Sequence, residues 1–339
     1  MKALKYILLL VLILVIGLSI YVAVQPNSFE VSRTRTINAP HEVVYDNVID
    51  FKNWSAWSAW IEENPDINIV LGEQTQGVGG SYKWNADGEQ GRMETTAANP
   101  KQSITQELQF GTYPTSNVHW EFKPNDDGTT DVTWRISGKD LPFGFKMYMA
   151  FSGGMDKQIG PDYERGLEKL DSVVQAEMKV YSIKVEGLTQ HSGGYYLYNT
   201  TSCKLSDFEA NMKTTLGQVG SYALTHNISR AGQPFIYYHK WDEDNNAVIF
   251  SACIPTNSRV ISEAPRILTG QLESFKTVKT VLTGDYSHLK AAWEATMTYI
   301  KEQNLELDES GPMLETYLTS PDTHPNPAHW KTEIYVAVK

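Results

Sequence analysis

The chain has 339 residues, ordinary apolar and charged fractions, and a formal net charge of −11. That length exceeds one average domain, and the composition excludes long disorder. The acidic balance disfavours a nucleic-acid partner, which wants a basic face.

The N-terminal stretch MKALKYILLLVLILVIGLSIYVAVQP is uncharged from Tyr6 to Val24. About 19 residues at a rise of ~1.5 Å come close to spanning a hydrocarbon core of ~30 Å. The run is longer than the usual signal-peptide core, and no clean A-x-A site follows, so residues 1–26 read as an uncleaved membrane anchor; a cleaved signal peptide is the rival reading. Lys2 and Lys5 precede the run. The positive-inside rule then puts the N-terminus in the cytoplasm and the rest on the outer side, with the cytoplasmic side as the alternative.

From Phe29 the pattern changes. FEVSRTRTI alternates apolar and polar side chains, as a half-buried strand does. Asn38 and Pro40 are helix-start signals ahead of Val43, Val44, Val48 and Phe51. Short β-like runs follow near 67–71, 79–85, 91–98, 102–110, 117–123 and 130–137, punctuated by GVGG and NDDGTT. Ile159, Tyr163, Leu167, Leu170 and Val174 then recur at spacings of three and four within 154–178, which predicts a long amphipathic helix. Trp54, Trp57 and Trp60 could line a cavity mouth, but packing onto the sheet is the favoured reading, because large aromatics usually serve cores.

INAPHEVVYDNVIDFKNWSAWSAW, GVGGSYKW and GPDYERGLEKLDSVVQ resemble the START-like superfamily (SRPBCC, polyketide-cyclase-like). The resemblance covers about 29–178. It implies a helix-grip domain over 27–178, in which one long helix closes a curved antiparallel sheet around a hydrophobic cavity. Members of that superfamily include cyclases and lipid carriers.

The rest of the chain repeats itself. After a joining strand near 179–186, GGYYLYN, KLSDFEANMKTTLGQVGSYAL, QPFIYYH and NAVIFSACIP read as strand, helix, strand, strand. TVKTVLTGDY, SHLKAAWEATMTYIKEQN, GPMLETYL and KTEIYVAV read the same way. Aligning the third elements on Pro234 and Pro312 pairs Tyr237 with Glu315 and His239 with Tyr317, which could meet across a cleft on a pseudo-twofold axis. Strand alternation puts Met313, Glu315 and Tyr317 on one side of their strand. An isolated buried carboxylate there would need a partner, water or a ligand.

GDYSHLKAAWEATMTYI, PMLETYLTSP and HWKTEIYVAV resemble the GyrI-like domain, the effector-binding domain of AraC- and MerR-type bacterial regulators, over about 179–339. The resemblance implies an aromatic cleft with a central glutamate that binds cationic or lipophilic small molecules. It points to Glu315 for that role, with Tyr317 beside it, and suggests Trp293 and Trp330 by proximity in the motif; Tyr237 and His239 follow from the repeat.

The expected fold class is therefore α+β: one N-terminal transmembrane helix, a helix-grip antiparallel sheet with a long C-terminal helix, and a pseudo-twofold duplicated strand–helix–strand–strand domain. No HExxH, G-x-S-x-G or P-loop is present, so no catalytic residue, cofactor or metal site is assigned. His324 and His329 flank PNPA in what reads as a turn. Cys203 and Cys253 form no CxxC pair; a single bridge outside the cytoplasm is compatible with their number. The function expected is a membrane-anchored binder of a lipophilic small molecule. The alternative is a hydrolase of reactive electrophiles, with Glu315 orienting water and a tyrosine supplying a proton. A transcription regulator is the weakest reading, since no basic helix-turn-helix segment is seen.

Overall fold

A computed structural model describes residues 2–86 and 89–339. Met1, in the expected anchor, lies outside the described residues. The chain divides into two units between Glu177 and Met178.

The first unit opens with α1 (Lys2–Ala23), whose segment Ala3–Ala23 is long and apolar enough to cross a membrane. β1 (Ser28–Ile37) follows, then α2 (His41–Ile49), which starts directly after Pro40. Two short helices, α3 (Trp54–Trp57) and α4 (Ala59–Glu63), carry the tryptophan run. Six strands come next: β2 (Asn68–Leu71), β3 (Ser81–Ala86), β4 (Glu89–Asn99), β5 (Ser103–Phe110), β6 (Ser116–Pro124) and β7 (Thr130–Lys139). With β1 they form one antiparallel sheet in the order β1-β7-β6-β5-β4-β3-β2. Thr130, Val132, Trp134 and Ile136 of β7 are all buried and the residues between them only half-buried, a strict period of two. Then come α5 (Phe143–Ser152), which no periodicity announced, and α6 (Met155–Met178).

α6 buries Tyr163, Leu167, Leu170 and Val174 of the stripe that the sequence predicts, and leaves its first member, Ile159, half-buried. Its contact with the sheet is close at Gly166, where an added Cβ would lie 2.9 Å from the Trp134 ring. One turn earlier, Tyr163 stacks on Trp134 at 3.7 Å, and Trp134 stacks on Trp120 at 4.3 Å. Trp54 and Trp57 pack edge-on against these rings, and Trp60 meets Trp84 at 5.0 Å. The tryptophan run thus packs into the space between sheet and helix.

The second unit contains β8 (Ser182–His191), β9 (Gly194–Lys204), α7 (Phe208–Thr225), β10 (Phe235–Asp242), β11 (Ala247–Thr256), β12 (Leu268–Leu272), β13 (Phe275–Thr283), α8 (Leu289–Glu302), β14 (Met313–Tyr317) and β15 (Lys331–Ala337). The eight strands form one antiparallel sheet in the order β12-β9-β11-β10-β14-β15-β13-β8. The two repeats, β9-α7-β10-β11 and β13-α8-β14-β15, meet at the pair β10–β14 in the middle. Asp285 caps the turn into α8 by accepting from Ser287 N at 2.8 Å. Thr201 and Thr215 tie α7 to the sheet, and Thr280 and Thr296 tie α8 to it. Cys203 and Cys253 are free thiols. They pack in separate clusters on opposite faces of the sheet, so a bridge between them is geometrically closed.

Candidate functional site

β14 is short and central, and its alternation decides which side chains reach which face. Its register pairs Phe235 with Thr316, Ile236 with Glu315 and Tyr237 with Leu314. Paired residues of neighbouring strands share a face. Glu315 therefore faces the side covered by the helices, where Trp293 of α8 and Met212 of α7 lie.

Glu315 is only 2% exposed. Its carboxylate accepts from Trp293 Nε1 at 2.9 Å, from Tyr238 Oη at 3.3 Å, and from the Tyr317 hydroxyl in a very short contact. Among the described residues no lysine or arginine pairs with it. Burial pushes the Glu315 carboxyl above its ordinary value, and the three donors offset only part of that rise. The Tyr238 and Tyr317 hydroxyls are driven far above the ordinary phenol range by burial first and by the neighbouring carboxylate second.

Aromatic rings surround this carboxylate. Tyr238 meets Trp293 edge-on at 5.6 Å, and Phe208 of α7 lies 5.8 Å from Tyr238. Tyr286 sits edge-on to Tyr317 at 5.4 Å, and its hydroxyl is raised to about 12 by burial and by Glu315. The sulfur of Met212 lies 3.2 Å from the Tyr317 oxygen. The single proton of that hydroxyl goes to the carboxylate, the stronger acceptor, which leaves Met212 as a polarizable wall.

Of the residues singled out in the sequence, the structure brings together Glu315, Tyr317 and Trp293. Trp330 is one ring removed: it packs on Tyr286 at 4.7 Å, and its Nε1 donates to the His324 carbonyl. Tyr237 and His239 do not reach the cleft. Tyr237 shares its face with Leu314 and packs among Tyr196, Phe235 and Cys253 on the opposite side of the sheet. His239 lies at a bulge between Tyr238 and Lys240, packs tilted against Tyr237 at 4.5 Å, and bonds Ser251 through Nε2 at 2.7 Å. The alignment on Pro234 and Pro312 is the cause: it slips the repeat by one residue, and one residue exchanges the faces. Tyr238, Tyr286, Met212 and Phe208 are the residues that sequence reading missed. Pairing the helices rather than the prolines would have found two of them, because Phe208 and Met212 have the same spacing as Leu289 and Trp293.

The second face of the sheet also carries a cavity of about 220 Å³, lined in part by His191, Tyr196, Phe235, Leu272 and Tyr335. It is separated from Glu315 by the sheet itself.

A GyrI-like small-molecule-binding domain profile matches residues 173–339, and a polyketide cyclase/dehydrase and lipid-transport profile matches residues 28–175. The chain fuses these two domain families. Both are small-molecule-binding types. Solved structures similar to the GyrI-like fusion include an EcmrR–DNA complex determined by cryo-electron microscopy, at 18% identity and TM-score 0.41, covering 55% of this chain and 68% of that one. The crystal structure of the EcmrR C-terminal domain aligns at 17% identity and TM-score 0.38, over 47% of this chain and 98% of that one. A crystal structure of a protein from Chromobacterium violaceum aligns at 18% identity and TM-score 0.33, over 44% and 99%. No curated protein matches the fusion.

Proposed function

We propose that this protein is a membrane-anchored binder of lipophilic small molecules, and that its C-terminal cleft takes a lipophilic cation against Glu315. The observation that carries the reading is the carboxylate itself. It is buried, lacks a cationic partner among the described residues, and is held by neutral Trp and Tyr donors. A buried carboxylate in aromatic walls offers a cation both a counter-charge and quadrupole faces. Low local polarity strengthens the attraction, and the apolar walls select by shape. Entry requires α7 or α8 to yield, because Glu315 is covered. α1 supplies the anchor in this reading, and Lys2 and Lys5 favour placement of both domains on the outer side.

The N-terminal domain supports a second, hydrophobic site between its sheet and α6. The indole N–H groups of Trp57, Trp84 and Trp134 are buried in this domain without an acceptor among the described residues, and such donors favour a ligand that carries a polar atom into an apolar interior.

The test is thermal stabilisation of residues 27–339 by tetraphenylphosphonium, with Glu315→Gln as control. At ~100 times its dissociation constant a ligand adds roughly 2.7 kcal/mol of stability. Stabilisation that Glu315→Gln removes supports the cleft; stabilisation indifferent to the substitution sinks it.

A hydrolase is the second reading, favoured by the Tyr317–Glu315 contact, which joins a proton donor to a carboxylate. Glu315-dependent loss of an added epoxide would distinguish it from binding alone.

A further inference from the structure

α5 is a formed helix with no interior to serve. Pro142 precedes it, and Gly153 closes it in the left-handed region at φ 88°. Yet none of its ten residues is buried. Phe143 is 49% exposed, Met147 45%, Tyr148 51% and Phe151 61%. Phe143, Met147 and Phe151 recur every four residues and form one stripe. The helix carries a single charge, Lys146, and no acidic residue. Phe145 ties it inward, against Phe29 at 6.0 Å and Tyr113 at 5.4 Å, and Gln158 of α6 accepts from the Tyr148 hydroxyl at 3.2 Å and donates to the Ser152 carbonyl at 3.0 Å. A contiguous apolar patch of this kind on a soluble domain marks a surface that something covers.

Its neighbour says what covers it. Phe151 meets Tyr21 of α1 at 6.5 Å, and Lys146 Nζ reaches the Ala23 carbonyl at 3.5 Å. The apolar segment of α1 is 21 residues long, Ala3–Ala23. At ~1.5 Å per residue it matches a hydrocarbon core of ~30 Å, so Tyr21 and Ala23 fall at its edge. A helix touching those two residues sits at the same depth. Aromatic rings and a long basic side chain are the residues that settle at this level.

We infer that α5 is an interfacial helix that lies in the membrane surface from which α1 emerges, with Phe143, Met147 and Phe151 in the lipid. This rests on α1 being the membrane anchor. The occupant of the exposed face is the bilayer, continuous with the apolar flank of α1. α5 thereby gives the N-terminal domain a second attachment and restrains its orientation on the bilayer.

Spin labels on the full chain in phosphatidylcholine nanodiscs test this. The background is Cys203→Ser, which leaves Cys253 fully buried. Labels go singly on Met147→Cys, Phe151→Cys, Leu12→Cys in α1 and Asp127→Cys in a surface turn. Each is read for relaxation by oxygen, which concentrates in lipid, and by a water-soluble nickel chelate. The expected result is high oxygen and low nickel accessibility at 147, 151 and 12, and the reverse at 127. Labels at 147 and 151 that respond to nickel as Asp127→Cys does, with Leu12→Cys in lipid, overturn the interfacial helix and leave the anchor standing. Protection of 147 and 151 from both reagents overturns it in favour of a protein surface, such as a second copy. A nickel-accessible label at Leu12→Cys overturns the anchor and the interfacial helix together.

Discussion

The indole N–H of Trp293, on α8, donates to a carboxylate oxygen of Glu315, on β14, at 2.9 Å. This bond links a helix of the second repeat to the strand at the seam between repeats. Tyr238 supplies a second donor from the first repeat, across the β10–β14 pair. The carboxylate is thus held jointly by both halves of the duplication, and a ligand that reaches it must part groups belonging to each.

Glu315→Leu is expected to destabilise the GyrI-like domain, because it orphans three buried donors at ~1–3 kcal/mol each when they find no other partner. Glu315→Gln keeps an acceptor and removes a buried charge, so its cost should stay within about 1 kcal/mol. Urea unfolding of the two variants checks the order. A Gln variant as unstable as the Leu variant would show that the charge, not the hydrogen bonding, holds the site.

Cation binding should depend on pH through Glu315. Its carboxyl is raised from an ordinary value of 4.5 by burial, and a cation binds only the ionised form. Affinity should therefore fall as pH drops through the raised value, by about tenfold per pH unit below it, with uptake of the cation releasing a proton. The sign for stability is opposite: the protonated carboxyl stabilises the fold, fully so below 4.5, and this is lost as pH rises through the folded-state value. Titration calorimetry in buffers of different ionisation enthalpy measures the proton, and Glu315→Gln should abolish its release.

Tyr238→Phe and Tyr237→Phe should behave differently although the residues are adjacent. The first removes a donor to Glu315 and raises the carboxyl further, so cation affinity at neutral pH should fall several-fold, about 0.5–1.5 kcal/mol for one hydrogen bond. The second lies on the opposite face and should leave affinity unchanged. Equal losses from both would contradict the register at the seam.

Trp134→Ala should cost about 3–5 kcal/mol in the N-terminal domain, since the ring is stacked between Tyr163 and Trp120 and edge-on to Trp57. Differential scanning calorimetry of the full chain in detergent should show one transition shifted down. A shift near zero would mean that the interior tolerates the space, as a ligand cavity does.

The amino-acid sequence alone determined the order of most elements, α5 and β12 excepted, the division into two units and the duplication of the second, because these rest on periodicity and turn residues that are local. The stripe on α6 is one case; the carboxylate of Glu315 between apolar neighbours on a strand is another. Which side chains surround Glu315 was decided only by tertiary structure. Strand alternation has a period of two, so the faces depend on register, and register depends on the partner strand and its bulges. Aligned prolines place Tyr237 beside Glu315; the pairing of Ile236 with Glu315 puts Tyr238, two residues on and so on the same face, there instead. α5 was hidden for a related reason. Its apolar residues fall on more than one side, so no amphipathic period marks it, and its exposure became visible only once the sheet and α6 had closed without it.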